Sequence, residues 1–257
     1  MSDTVNHMRL SKPEAGDITA SGQVGGAALP TECSMRHFDE QLQELLHKIV
    51  YMGSLTDTMI SLAVRSLIER DDSIGEGVFA REHEVNRLQM EVDDTAVRLT
   101  ALQQPVAADV RFLFMASRIV SELERIGDHA VNICQSARVL TSQPPLKPLV
   151  DIPLMAQVVQ QMVRDSLQAV AQRDAKMAEG VLEQERKADA FKDQIFRTVL
   201  TYMMADPGTI SRGLSLILIS RNLERIGDHA TNIAEEVIYM VQGRDIRHPA
   251  DAPAGQG

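Results

Sequence analysis

The sequence predicts an all-α protein: a tandem duplication of a three-helix bundle, six helices in total. Three observations predict it. Apolar residues recur at steps of three and four over long windows, which is the period of a helix face. The chain also repeats itself. ELERIGDHAVNI at Glu122–Ile133 returns as NLERIGDHATNI at Asn222–Ile233, and RDDSIGEGVFAREHEVN from Arg70 pairs with RDAKMAEGVLEQERKAD from Arg173. Finally, aromatic residues make up only 4%, tryptophan is absent and methionine numbers 13. That composition favours helices over strands, which draw on aromatic and β-branched residues.

Residues 1–33 are small and polar, with SGQVGGAALP near their end, and read as a disordered N-terminal extension. Repeat 1 spans 34–140. Its first helix carries Phe38, Leu42, Leu45, Ile49, Met52, Leu55, Met59, Leu62 and Leu67 on one face and ends near Asp71. A second helix runs from about Ser73 to Leu102, where QQP at Gln103–Pro105 breaks it. A third follows and reaches about Leu140. TSQPPLKP at Thr141–Pro148 is incompatible with helix, so 141–149 is a linker. Repeat 2 spans 150–243, with helices near 150–172, 175–204 and 209–242, and ADPG at Ala205–Gly208 replaces QQP. Residues 244–257 are again polar and read as a flexible tail. Short connections make antiparallel neighbours. One continuous six-helix bundle is the alternative; the proline-rich linker and the matching halves favour two units side by side.

Net charge is −10. Nucleic-acid binding runs on basic surface that neutralises phosphates, so the balance excludes it as a partner. An acidic surface also repels free phosphate and acidic membrane. The two cysteines, Cys33 and Cys134, are too few for a disulfide scaffold and lack metal-ligand spacing. No apolar run approaches the roughly 20 residues of a bilayer span, and no signal-peptide core opens the chain. The expected location is cytoplasmic, without direct membrane insertion.

The repeated motif carries the candidate site. In the last helix Leu216, Ile219, Leu223, Ile226, Ala230, Ile233, Val237 and Met240 form an apolar seam. Glu224, Asp228 and Asn232 turn roughly 100–180° away from it, as do Glu124, Asp128 and Asn132 from the seam of the third helix. Both triplets therefore form stripes away from the core. The fifth helix adds Glu185, Asp189 and Asp193, and the second adds Glu82 and Asn86. Two such helices side by side offer four or more hard oxygen ligands. Gly127 and Gly227 each cost roughly 1 kcal/mol relative to alanine, so both halves accept the same penalty, which points to a cation or close packing there. A solvated acidic face is the competing reading. His129 and His229 turn away from the aspartates and are expected at the surface or between the bundles. Arg125 and Arg225 are expected in ion pairs or at a partner surface.

Enzymatic constellations are missing from the pattern. Di-iron carboxylate oxidases need two Glu-x-x-His helices; this chain has one, Glu44 to His47. There is no glycine-rich phosphate loop, nucleophile elbow or HExxH.

The duplicated LERIGDHA, the QP turn followed by Asp109 and Arg111, LTYMMADP at Leu200–Pro207 and VQGRDIRH at Val241–His248 resemble the PhoU family, the phosphate-specific transport system accessory proteins. The resemblance covers roughly 35–248. It implies a non-enzymatic, cytoplasmic, homodimeric negative regulator of phosphate uptake and phosphate-regulon signalling. Its implied role is that of an adaptor between the nucleotide-binding subunit of the phosphate ABC transporter and a sensor histidine kinase. It also implies a divalent or multinuclear metal (Fe, Zn, Mg or Mn) on ExxxD pairs. Carried over, these are Glu124 with Asp128, Glu224 with Asp228, and Glu185 with Asp189. In the first half Asn86 stands where an aspartate would complete the pair with Glu82. A metal store or a metal-dependent enzyme on a carboxylate cluster is the alternative function.

Overall fold

The computed structural model describes residues 32–103 and 105–247. Six helices follow one another: α1 Glu32–Glu69, α2 Asp72–Gln103, α3 Ala107–Thr141, α4 Asp151–Gln172, α5 Ala175–Ala205 and α6 Ile210–Gln242. A short 3₁₀ turn, Pro207–Thr209, precedes α6. The fold is the all-α duplication the sequence predicts. Of the expected 1–33 extension, residues 1–31 lie outside the described residues, and Glu32 and Cys33 open α1.

The same two residues close the first helix of each half and open the second. Arg70 and Arg173 sit in the left-handed region, with φ of 54° and 52°, and stop α1 and α4. The aspartate that follows then caps the next helix. Asp71 Oδ1 accepts from Ser73 N at 2.9 Å, and Asp174 Oδ1 accepts from Lys176 N at 2.8 Å and Met177 N at 3.1 Å. Each cap satisfies amide donors that the first helical turn leaves without partners. The repeated Arg-Asp dipeptide is thus a repeated turn.

Within each half the three helices pack mutually. The halves join along α3 and α6, with α1 against α4. The buried apolar residues form one continuous cluster through both halves. Ile126, Ala130 and Ile133 of α3 and Ile226, Ala230 and Ile233 of α6 are fully buried in it. The units lie side by side, as expected, but they share their core.

The linker is not loose. Leu146 and Leu149 pack on the core. Arg70 of the first half donates to Leu140 O and Thr141 O at 3.0 Å and to Gln143 O, and Arg212 of the second donates to Pro144 O at 3.0 Å. The chain after α6 differs from the expected free tail beginning at 244. Ile246 packs on the core, and Arg247 pairs with Glu236 at 3.2 Å and with Asp245. An apolar side chain and a buried carboxylate hold this segment down; residues 248–257 lie outside the described residues. No described helix is long and apolar enough to cross a membrane.

Candidate functional site

The structure corrects the position of the acidic stripes. They do not point away from the protein. Glu124, Glu224, Asp228 and Asn232 are half-buried at the edges of helix–helix contacts. The reason is that α6 has neighbours on three sides, α3, α4 and α5. A residue turned about 100° from one seam enters the next contact. Only Asp128 and Asn132 of the first-half stripe are exposed.

In the second half, α5 and α6 bring Glu185, Asp189, Glu224 and Asp228 together. Burial pushes the Glu185 carboxyl up, and the charges of Asp228, Asp189 and Glu224 push the same way. Burial also raises Asp228, with Glu224 adding to it. A lysine answers this charge across the helix pair. Lys192 Nζ donates to Asp189 Oδ1 at 2.8 Å and to Glu224 Oε1 at 3.0 Å, bridging the two helices. These two carboxylates hold the ammonium well above its ordinary range. Arg225 lies 3.6 Å from Asp228 and 4.0 Å from Glu224.

In the first half, Glu82 of α2 acts on Glu124 of α3, and Asp128 follows Glu124 one turn on, exposed. Burial raises the Glu124 carboxyl, and Asp128 and Glu82 add like-charge repulsion that Arg125 and His229 offset only in part. Gln89 stands where the second half has Lys192, so no lysine answers here. One turn on from Glu82, Asn86 Oδ1 is buried without a hydrogen-bond partner. Among the described residues no group of three or more His, Cys, Asp or Glu side chains converges tightly enough to enclose a metal ion. The first-half donors are hard oxygens, the ligand type of divalent cations, with an orphaned amide carbonyl nearby, but they do not converge on one point. The second-half set already holds an ammonium.

Between the halves lies a feature that the sequence only half shows. His129 and His229 stack with ring centroids 5.3 Å apart. They sit between the bundles, one of the two places the sequence allowed. Each turns its Nδ1 to position 122 or 222 of the opposite half: His129 to Asn222 Oδ1 at 2.8 Å, His229 to Glu122 Oε2 at 2.6 Å. Asn232 Nδ2 also donates to Glu122 Oε2 at 2.9 Å. The arrangement is reciprocal, like a two-fold interface between protomers. Burial pushes Glu122 up, but hydrogen bonds from His229 and Asn232 outweigh it and leave the carboxyl below its ordinary value. Burial pushes His129 down, and the neighbouring His229 adds to this.

Arg125 and Arg225 are exposed, with loose local pairs; Arg125 lies 3.7 Å from Glu122. Gly127 and Gly227 face the core. A Cβ there would meet Met59 at 3.5 Å or Met162 at 3.6 Å, ordinary contact distances. Close packing therefore does not require them. Lys192, Glu122 and Asn222 are the residues sequence reasoning missed. Lys192 lies one turn beyond Asp189 on the same stripe. Glu122/Asn222 is one of two differences between the motifs, the other being Val131/Thr231.

The fold and its charged contacts define the class: an all-α protein built by internal duplication, whose charged residues tie helix to helix and half to half. The PhoU domain model matches residues 49–137 and 152–237, and the chain belongs to the PhoU family. A "phosphate-specific transport system accessory protein PhoU homolog" of Pseudomonas putida is 38% identical over 214 residues, 83% of this chain and 84% of that protein. The Escherichia coli protein "phosphate-specific transport system accessory protein PhoU" is 33% identical, over 82% of this chain and 88% of that one. The crystal structure of PhoU from Pseudomonas aeruginosa superposes with a TM-score of 0.78 at 36% identity, covering 80% of this chain and all of that one. "The phosphate transport system regulatory protein PhoU from Streptococcus pneumoniae" gives a TM-score of 0.75 at 26% identity, covering 81% of this chain and 99% of that one.

Proposed function

We propose that the chain is a negative regulator of phosphate uptake and phosphate-regulon signalling. It acts in the cytoplasm, as a homodimer and without catalysis of its own. It links the nucleotide-binding subunit of a phosphate ABC transporter to a sensor histidine kinase. Relatives named as accessory and regulatory proteins of phosphate transport support this reading. The observation that carries it is the reciprocal seam. Two equivalent halves, each with an exposed arginine at the same motif position (Arg125, Arg225), meet across one stacked histidine pair. A partner that binds one half better in one arrangement of the seam biases what the other half presents, and coupling of that kind needs no chemistry.

The test is a deletion strain grown in high phosphate, with phosphate uptake and an alkaline-phosphatase reporter as readouts. Loss of the protein derepresses both, and the wild-type chain restores control. A deletion that leaves both readouts repressed sinks the reading.

A second reading is favoured by one observation, first-half carboxylates that no lysine bridges, beside the orphaned Asn86 Oδ1. Here Glu82, Glu124 and Asp128 hold a divalent cation, which supplies positive charge tying α2 to α3. Calorimetric titration of chelator-treated protein with Mn²⁺ tests it: binding is lost in Glu124→Gln/Asp128→Asn.

A further inference from the structure

The two halves repeat the same carboxylate pattern, yet they neutralise it differently. On α5 and α6 four carboxylates gather: Glu185, Asp189, Glu224 and Asp228. Lys192 places its ammonium 2.8 Å from one of them and 3.0 Å from another, on two different helices. At the matching place of the first half, 103 residues earlier, the chain carries the neutral Gln89. Asp189 likewise matches the neutral Asn86. Both halves set an arginine beside the stripe, Arg225 near Glu224 and Asp228 and Arg125 near Glu124, but only the half with four carboxylates adds a lysine that bridges its two helices. Charge and countercharge vary together.

We propose that Lys192 is the resident cation of the second-half cluster and excludes a divalent metal from it, so that any metal capacity of this chain is confined to the first half. The physics is competition for the same oxygens. An ion coordinated by Asp189 and Glu224 would lie within a few ångströms of the ammonium, and like charges at that distance repel strongly in a half-buried site. The ammonium also donates to both acceptors already, so a metal must break two charge-assisted hydrogen bonds to enter. Lys192 arrives with the chain and does not depend on metal supply. The α5–α6 contact is therefore bridged in metal-free protein, whereas no lysine bridges the carboxylates of the α2–α3 contact. The inference deepens the metal reading above without needing it to hold, because it concerns the other half.

The experiment is done in the full chain with the first half blocked by Glu124→Gln/Asp128→Asn, after chelator treatment, with Mn²⁺ as the probe. In this background the chain shows no Mn²⁺ binding by calorimetry. Adding Lys192→Gln, the residue the first half carries, makes Mn²⁺ binding appear where the background shows none, because one positive charge leaves the cluster. Adding Glu185→Gln/Asp228→Asn closes that site again. Equal Mn²⁺ binding with and without Lys192 overturns the proposal, and so does the failure of Lys192→Gln to open a site in folded protein.

The unaltered chain provides a second measurement that depends on no variant. Paramagnetic broadening by Mn²⁺ is strongest at the amides of Glu82, Glu124 and Asp128, and a separate maximum at Glu185, Asp189 and Lys192 also overturns it. Failure of the metal reading itself shows separately, as the absence of Mn²⁺ binding in the unaltered chain.

Discussion

Glu236 shows how much one residue of α6 depends on its neighbours. It is buried, with Arg118 of α3 at 2.7 Å and Arg247 at 3.2 Å on one oxygen, while its other oxygen has no partner. Burial wins over the two arginines and holds the carboxyl above its ordinary value of 4.5. A carboxyl raised in the folded state favours folding while it carries its proton. That contribution is full below the unfolded value and is lost as pH rises through the folded one. Glu236→Gln carries no titrating proton. Its stability relative to wild type therefore rises between about pH 4.5 and neutrality, as read by urea denaturation across that range. A flat difference contradicts the burial of this charge. Gly227 makes a second prediction. A Cβ there meets only Met162 and Ala188 at 3.6–3.9 Å, so Gly227→Ala stabilises the chain by roughly 1 kcal/mol through helix propensity. Thermal melting checks it.

At the scale of elements, the ends of the helices explain the turns better than their interiors do. Arg70 has two tasks. Its backbone stops α1, and its guanidinium covers the carbonyls of Leu140, Thr141 and Gln143 at the end of α3 and the start of the linker. Leu140 O also accepts from the backbone of Gln143 at 3.2 Å, and a cation suits this negative end of the helix. Arg70→Ala lowers unfolding free energy by about 1–3 kcal/mol. In hydrogen exchange, the amides around Gln143 lose protection first. Arg173 holds the same backbone geometry in the second half, but its guanidinium lies over the Phe112 ring of α3 at 5.0 Å. The repeat preserved the turn and gave the side chain a different use.

For the whole molecule, the shared core decides how the halves behave. Because one apolar cluster runs through both, unfolding one half strips buried surface from the other. Ile219 is fully buried in α6. Ile219→Ala costs about 2–5 kcal/mol and shifts a single transition for the entire chain. Separate melting of the two halves would contradict the shared core. The reciprocal pairs His129–Asn222 and His229–Glu122 sit on the same joint, so a partner bound to either half acts on a contact that both halves own.

The sequence by itself determined the six helices, their order and the duplication. Each rests on local rules: apolar spacing, proline breaks and the recurring Arg-Asp and LERIGDHA segments. It also showed which carboxylates recur, because spacing along one helix is a local property. Which way those carboxylates face was decided only in tertiary structure. A helical wheel has one core direction, whereas α6 meets three neighbours, so Glu224 and Asp228 enter the α5 contact and Asn232 reaches α3. The same limit hid Lys192 as a countercharge and Glu122 as the partner of His229, because each pairing joins residues distant in the chain. Periodicity along a helix carries no information about which helix lies beside it; packing supplies that, and with it the difference between the two acidic seams.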